Sequence, residues 1–319
     1  MDESVEQIDP TEALTTEIIK KRAVKGAAIL TGRMILMQGV SFFAMALLTI
    51  FLAPAEFGIF YVVSAVKNLL SYFSDIGFAP ALIQKKEELT GIELKTIFTA
   101  QQMLILLVII IGFILTPVIS NIYHLNQQAV YLLWAFLLSL FFSSLKTIPS
   151  VLMERKLEFN KYVIPQIVES VTFNIVAVFL AWKGFGITSY TVAVLVSGLL
   201  GLVLTYIVKP WLPGIAFSVK AFKSVLKFGI PYQANTLLAM VKDDGMILFL
   251  GSFIGVSGVG LLGWAQKWAY APLRFFMDQV IKVTFPAFSR LQDNRKDLSD
   301  LVSKSIFFIC LLVFPSLVM

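Results

Sequence analysis

Long runs of apolar residues alternate with short polar segments along most of this chain. About 20 helical residues, rising about 1.5 Å each, cross a hydrocarbon core of roughly 30 Å, and each run reaches that length. The runs are continuous and do not alternate every second residue, which argues against an outer-membrane barrel. The pattern predicts an all-α polytopic membrane protein with about nine transmembrane helices, at residues 27–52, 57–80, 96–119, 129–149, 162–182, 187–208, 228–253, 258–284 and from about residue 303.

The composition agrees with that class. Hydrophobic residues make up 58% and charged residues 14% of the 319 residues, and the mean hydropathy is +0.83. Soluble domains are about 45–50% apolar and about 25% charged. Cys310 and His124 are the single cysteine and histidine, which excludes a multi-cysteine centre or a histidine cluster. The sequence also lacks a GxxxxGK[ST] loop. We therefore expect no catalytic residues, metal or cofactor, and no enzyme activity.

Basic residues are concentrated on one side of the predicted layout. Of the 26 lysines and arginines, 19 fall in segments assigned to that side, Lys146 among them, and only Lys183 falls on the other. Positively charged loops face the cytoplasm, so the N-terminus is expected there, in a bacterial inner membrane. Residues 1–19 are acidic and polar, unlike a signal peptide, and are expected to form a cytosolic tail.

An internal repeat relates the start of the chain to its later part. A shift of 202 residues aligns a basic segment, a long span and a glycine or proline turn, matching Lys21 with Lys223, Lys25 with Lys227, Phe51 with Phe253 and Gly58 with Gly260. Six spans separate the copies, so both lobes enter from the same side, as in parallel-repeat transporters. The chain ends inside an apolar run, so the second lobe is expected to be truncated. The expected organisation is a cytosolic tail, a six-helix N-lobe and an incomplete C-lobe of about three helices, at residues 1–25, 26–209 and 210–319.

Charged residues inside the apolar runs are the candidate functional residues. One charge at the bilayer centre costs about 2.5–3.5 kcal/mol, so such residues face a partner or water. Lys67 and Lys267 lie at mid-depth of corresponding spans, and no acid lies three or four residues from either. We predict a cationic cavity that binds an anionic group such as phosphate or a sugar acid, formed by Lys67, Lys267, Arg274 and Lys242. The coupling or ion-pair candidates are Asp243, Asp244, Glu169 and Asp278. The alternative is that all these charges pair with one another and only hold the helices together.

Two other segments allow two interpretations each. Gly251 and Gly255 have the GxxxG spacing of closely packed helices, and the alternative is a moving turn between two spans. The segment 144–163 is either an interfacial amphipathic piece or a solvated basic loop.

Several motifs resemble one family of transporters. LTIFLAPAEFGIFYVVSAVKNLLSYFSDIGFAPALIQKKE (48–87) resembles the first helix pair of the Wzx-type polysaccharide and oligosaccharide flippases, of the multidrug/oligosaccharidyl-lipid/polysaccharide superfamily. LMERKLEFNKYV (152–163) resembles the loop before their fifth helix. Three later segments resemble the start of their second lobe: VLKFGIPYQAN (225–235), LGWAQKWAYAPLR (262–274) and VTFPAFSRLQDN (283–294). The subgroup most resembled handles colanic or teichuronic-type acidic polymers.

The resemblance implies a function as well as a fold. Members have two six-helix lobes around a central cavity. They move undecaprenyl-diphosphate-linked oligosaccharide from the inner to the outer leaflet by alternating access, for surface polysaccharide export. The implied partners are this lipid, the bilayer and polysaccharide polymerase machinery, with no nucleic acid. The alternatives are an ion-coupled multidrug or cation antiporter of the same superfamily, a membrane glycosyltransferase or polymerase, and a non-transporting assembly partner. Short outer loops argue against the enzymes.

Overall fold

The computed structural model describes residues 16–74, 76–85, 87–290 and 295–318, and for parts of the first and last two helices it describes the backbone alone. Regular structure in these ranges is α-helical. The helices are α1 (Thr16–Phe51), α2 (Pro54–Ser74), α3 (Phe78–Gln84), α4 (Gly91–Ile122), α5 (Gln127–Arg155), α6 (Phe159–Trp182), α7 (Thr188–Val208), α8 (Val219–Arg290) and α9 (Arg295–Val318). Helix α8 is interrupted at Gly255, and we call residues 219–254 α8a and residues 256–290 α8b.

Seven of these helical stretches within the described ranges are long and apolar enough to cross a membrane. They are Ile29–Phe51 in α1, all of α2, α4, α5, α6 and α7, and Met240–Tyr270 in α8. This confirms an all-helical, multi-span protein. The count of nine transmembrane helices and the truncation of the second lobe stay predictions.

Two glycines with positive φ decide where helices end. The predicted span 57–80 is two helices, because Gly77 adopts a φ of 72° between α2 and α3. Gly255 has φ 70° and ψ 173°, which ends α8a. A side chain is disfavoured at this φ, so glycine suits both positions. The predicted break between residues 253 and 258 therefore lies at Gly255. Gly251 is closely packed, because a Cβ atom at this position would contact the side chains of Tyr123 and Val62.

The break at Gly255 also bears on the internal repeat. The chain leaves the helical conformation at residues 52–53, between α1 and α2. A shift of 202 residues places those positions on 254–255, at the break in α8. The two copies thus share a helix, a short break and a second helix. The wider two-lobe arrangement stays a prediction.

The chain forms two compact units, residues 1–259 and residues 260–319. In the described part of the first unit, α5 is central and packs against α2, α3, α4, α6 and α7, while α6 also packs against α1 and α7. The second unit consists of most of α8b and α9. Residues 1–15 of the expected cytosolic tail lie outside the described residues, and α1 begins at Thr16, before the basic cluster.

The main apolar cluster lies at the end of the first unit where α3 meets α4 and α5. It contains Phe78, Leu82, Leu94, Ile97, Ile148 and Leu152, with Trp211 and Val225 beside them. The alternative of a solvated basic loop for segment 144–163 was therefore wrong, and its interfacial position stays a prediction. This segment is the last part of α5, a turn at residues 156–158 and the start of α6, and Ile148 and Leu152 are fully or almost fully buried. Its apolar residues pack inward, which a solvated loop would not require.

Polar caps fix the starts of two central helices. Thr90 accepts a hydrogen bond from the Glu93 backbone N–H, and Glu93 accepts one from the Thr90 N–H, which forms a capping box at the start of α4. Asn126 caps α5 by accepting from the Ala129 N–H at 2.9 Å. Apolar side chains such as Leu106, Ile110 and Ile114 on α4 are exposed, as expected on a lipid-facing surface.

Candidate functional site

Lys67 is the candidate cation that α2 places inside the first unit. Val62, Val63 and Val66 are buried on the same helix, and Lys67 itself is partly buried. Among the described residues, we find no hydrogen bond or ion pair to Lys67. Its ammonium lies within electrostatic range of Asp244, Glu169 and Lys146. Lys67 is therefore one of a group of charges from four helices, and we call Lys67, Lys146, Glu169 and Asp244 the charge cluster.

Lys146 and Glu169 form an ion pair within this cluster. Lys146 Nζ donates to Glu169 Oε2 at 2.7 Å, and the two side chains are 14% and 31% exposed. The pairing follows from the antiparallel hairpin of α5 and α6, which turns at residues 156–158. Both residues lie about 14–15 Å along their helices from that turn, so they reach the same depth.

The position of Lys146 corrects one part of the sequence interpretation. The count of basic residues placed Lys146 in a cytoplasmic segment, but it lies inside α5 and pairs across to α6. Sequence reasoning also left out Lys146 from the candidate site, although its partner Glu169 was included. In the predicted layout Lys146 lies four residues before the 150–161 connection and Glu169 eight residues after it, so the layout did not put the two residues at equal depth.

Gly201 on α7 makes room for the Glu169 carboxylate. A Cβ atom at this position would lie 2.4 Å from Glu169 Oε2 and 2.8 Å from its Cδ. Real Cβ contacts are not this short, so a larger residue would force the carboxylate to move. Gly201 is therefore a positioning residue for the Lys146–Glu169 pair, and no pattern in the sequence pointed to it.

A cavity of about 390 Å³ adjoins the ion pair, between α3, α5, α6 and α7. Its polar lining includes Ser143, Lys146, Thr147, Ser150, Tyr162 and Glu169. Hydroxyl groups can both donate and accept hydrogen bonds, so this lining can solvate either charge of the pair. The cavity leaves space next to Lys146, and a second acid, Glu154, also lines it.

Asp244 joins the charge cluster from α8a. Asn68 Nδ2 donates to Asp244 Oδ1 at 3.1 Å, which connects α8a to α2 beside Lys67. Lys242 and Asp243 pair with each other instead, with Nζ and Oδ1 3.2 Å apart and side chains 76% and 70% exposed. The pairing foreseen as the alternative is thus present for these two residues.

Two further contacts hold α8a against the rest of the first unit. The Tyr72 hydroxyl donates to the Gln233 carbonyl at 2.9 Å, and Gln233 Nε2 donates to the Tyr72 carbonyl at 2.9 Å. Near the other end of α8a, the Tyr123 hydroxyl donates to the Leu248 carbonyl at 3.0 Å. Burial raises the pKa of Tyr123 above its ordinary value, which keeps this donor protonated.

Close backbone packing adds to the contact at the first of these ends. A Cβ on Gly229 would lie 2.1 Å from the Ile76 carbonyl oxygen, and one on Gly77 would lie 2.8 Å from the Gly229 carbonyl oxygen. The backbones of α8a and of the turn between α2 and α3 touch here. Only glycine permits this approach.

The other predicted site residues belong to the second unit. Lys267 lies on α8b and is exposed. Arg274 and Asp278 are also on α8b, but their side chains lie outside the described residues. Their roles stay predictions.

Comparison with models of protein families shows the family of this chain. The model described as "Polysaccharide biosynthesis protein" matches residues 47–319, which is most of the chain. The chain belongs to the polysaccharide biosynthesis protein family. The motifs quoted above fall within the matched range, so the resemblance to polysaccharide flippases is confirmed.

Three characterised relatives are similar to this family member along much of its length. The succinoglycan biosynthesis transport protein ExoT of Rhizobium meliloti is 24% identical over 278 residues, covering 87% of this chain and 56% of the relative. The lipopolysaccharide biosynthesis protein WzxC of Escherichia coli is 25% identical, covering 94% and 61%. The teichuronic acid biosynthesis protein TuaB of Bacillus subtilis is 24% identical, covering 76% and 50%. The chain thus spans about half the length of the curated relatives it matches.

Two solved structures share the fold of this family member. An inward-facing multidrug resistance MATE family transporter of the MOP superfamily matches with a TM-score of 0.64 and 17% identity, covering 86% of this chain and 68% of that one. The MATE multidrug transporter DinF-BH matches with a TM-score of 0.60 and 18% identity, covering 95% and 75%. The helices of this chain are therefore arranged as in MATE-like transporters.

Proposed function

We propose that this chain is part of a membrane transporter that moves an undecaprenyl-diphosphate-linked oligosaccharide from the inner to the outer leaflet for surface polysaccharide export. The named relatives act in the biosynthesis of succinoglycan, lipopolysaccharide and teichuronic acid. The common chemistry of such pathways is a sugar chain that must cross a membrane. The MATE-like fold supports a transporter that works by alternating access.

The charge cluster is the observation that carries this proposal. Lys67, Lys146, Glu169 and Asp244 come together from α2, α5, α6 and α8a, inside helices that are otherwise apolar enough to span a membrane. Charged groups at that depth are costly and mark substrate or ion pathways. A protein that served only as a membrane anchor would have no use for them.

Lys67 is the first substrate contact we assign. An ammonium with three donors and no described partner can bind an oxyanion through charge-assisted hydrogen bonds. Glu169 and Asp244 keep the surroundings close to neutral without taking these donors. A diphosphate linker or the carboxylate of an acidic sugar has the matching charge.

The remaining predicted residues complete the proposal. Lys267, Arg274 and Lys242 are proposed as further cavity cations, and Asp243, Asp244, Glu169 and Asp278 as coupling or ion-pair residues. We place the protein in a bacterial inner membrane with its N-terminus in the cytoplasm, next to polysaccharide polymerase machinery. The positive-inside count supports this orientation even with Lys146 removed from it.

Lipid analysis of a strain lacking this gene tests the proposal. Membranes would be extracted and lipid-linked oligosaccharides identified, with their leaflet determined by accessibility to an added glycosidase. We expect an undecaprenyl-diphosphate-linked oligosaccharide to accumulate on the cytoplasmic leaflet and to disappear when the gene is restored. Intact surface polymer without accumulation would contradict the proposal and favour the multidrug antiporter.

A further inference from the structure

We infer that Lys146 is a second anion-binding residue of the transport pathway and that Glu169 is its counter-ion while no substrate is bound. An oxyanion of the substrate then replaces the Glu169 carboxylate at Lys146, and Glu169 moves into the adjoining cavity. The inference rests on the proposed function, which it deepens by naming the residues that exchange partners.

The charge cluster favours such an exchange. Lys146 uses one donor for Glu169 Oε2 at 2.7 Å, and an ammonium has three donors. Lys67 lies within electrostatic range of both members of the pair, so an anion that approaches Lys146 also meets the positive field of Lys67. Lys67 and Lys146 balance Glu169 and Asp244 in charge, so an incoming anionic group takes the place of the Glu169 carboxylate at Lys146. A diphosphate carries more charge than a single carboxylate and competes with it effectively.

The cavity gives both groups room to move. Its volume of about 390 Å³ adjoins the pair, which compares with about 30 Å³ per molecule in liquid water. Hydroxyls of Thr147 and Ser150 line it and can hydrogen-bond a displaced carboxylate or a bound phosphate, while the Tyr162 hydroxyl already faces Glu154. The Glu169 side chain is 31% exposed, so it is not enclosed by its neighbours.

Gly201 sets how firmly the resting pair is held. The carboxylate lies where a Cβ of residue 201 would stand, so it reaches Lys146 along the surface of α7 without a steric barrier. A methyl group at this position would push the carboxylate away from its resting place. A Gly201→Ala substitution would thus weaken the Lys146–Glu169 ion pair without changing the charge of either residue.

A purely structural ion pair is the competing explanation, and a charge swap separates the two. In Lys146→Glu combined with Glu169→Lys, the pair is restored with its charges reversed. A structural pair needs only opposite charges, so the swap would restore transport. An anion-binding lysine must stay on α5, so the swap would restore the protein level and thermal stability but not transport.

The experiment uses the full protein in liposomes and follows the movement of a fluorescent undecaprenyl-diphosphate oligosaccharide between leaflets. We expect the swap variant to lose transport by roughly ten- to a hundredfold, the effect of removing one charged hydrogen bond to substrate. Lys146→Arg, which keeps the cation, should retain most transport. A swap variant that transports like the natural protein would overturn the inference.

A second variant keeps the test decisive if the swap variant does not fold. Glu169→Gln removes the competing charge and keeps the shape of the side chain. Lys146 would then be held less strongly by its neighbour, so we expect a lower KM for the lipid-linked substrate. An unchanged or raised KM in a folded Glu169→Gln protein would contradict the exchange.

The choice of substrate identifies the anion and separates the exchange from the proposed function. One lipid would carry a neutral oligosaccharide and the other an acidic one. If Lys146→Gln slows the transport of both lipids, the diphosphate is the group that Lys146 binds. If it slows only the lipid with the acidic oligosaccharide, Lys146 binds the sugar carboxylate. If the natural protein moves neither lipid, the proposed function itself fails. If it moves them and the swap variant does too, only the exchange at Lys146 fails.

Discussion

Arg155 provides the most direct test of how the first unit is held together. Its guanidinium donates to the carbonyls of Leu82 at 2.7 Å, Lys85 at 2.5 Å and Glu87 at 3.0 Å, at the C-terminal end of α3. The last carbonyls of a helix lack partners within it, and a cation at a helix C-terminus also interacts favourably with the helix dipole. Arg155→Ala would remove these donors, including the one to the carbonyl of Leu82, which is 1% exposed.

The expected loss of stability can be worked from these bonds. A hydrogen bond to a charged group contributes about 1.5–3 kcal/mol. Glu87 is exposed, so water can replace the third bond, and Arg155 itself is partly exposed. We expect Arg155→Ala to destabilise the protein by about 2–4 kcal/mol, mainly through the bonds to Leu82 and Lys85.

Thermal unfolding in detergent measures this effect. At a few degrees per kcal/mol for a chain of this size, Tm should fall by roughly 5–10 °C. Lys161→Ala is the matched control, because it removes a surface pair with Glu158 at 3.2 Å, and such a pair contributes about 0–1 kcal/mol. If Arg155→Ala and Lys161→Ala unfolded at the same temperature, the reasoning about α3 would be refuted.

Three other predictions concern the charge cluster, the packing of α8a and the topology. Lys67→Gln should lower polysaccharide export by roughly tenfold or more at an unchanged protein level, since a charged contact to substrate is lost. Lys183→Gln, at an exposed loop position, should leave export unchanged, and equal export from both variants would contradict a role for Lys67. Gly229→Ala places a methyl carbon 2.1 Å from the Ile76 carbonyl oxygen, in the α2–α3 turn. It should lower the free energy of unfolding by about 1–3 kcal/mol, measured by thermal unfolding. A variant as stable as the natural protein would argue against that contact. Reporter fusions at Asn126 and Arg295 should report the outside and the cytoplasm respectively, and the reverse result would overturn the orientation.

The sequence predicted the spanning helices better than their ends. Continuous apolar runs located α4 to α7, because hydropathy over about 20 residues is a strong local signal. The span 57–80 was not one helix, because the chain turns at Gly77, where its backbone also meets Gly229 from far along the chain. A local pattern does not contain such a contact.

The charge cluster was predicted only in part. Lys67, Glu169 and Asp244 were recognised because a charge inside an apolar run is conspicuous in any sequence. Lys146 was missed because it lies near the end of a run that was followed by other basic residues, which made it look like part of a loop. The roles of Lys146 and Gly201 emerge only when α5, α6 and α7 are packed together, since their contacts depend on helix rotation as well as depth.

Leaflet exchange by the purified protein is the measurement that tests the central claim most directly. The full protein would be reconstituted into liposomes containing a fluorescent undecaprenyl-diphosphate oligosaccharide, and a membrane-impermeant reagent would quench the label in the outer leaflet. The account predicts that the quenched fraction rises with time beyond the share that starts in the outer leaflet, and that Lys67→Gln slows this rise. A quenched fraction equal to that of protein-free liposomes would contradict it.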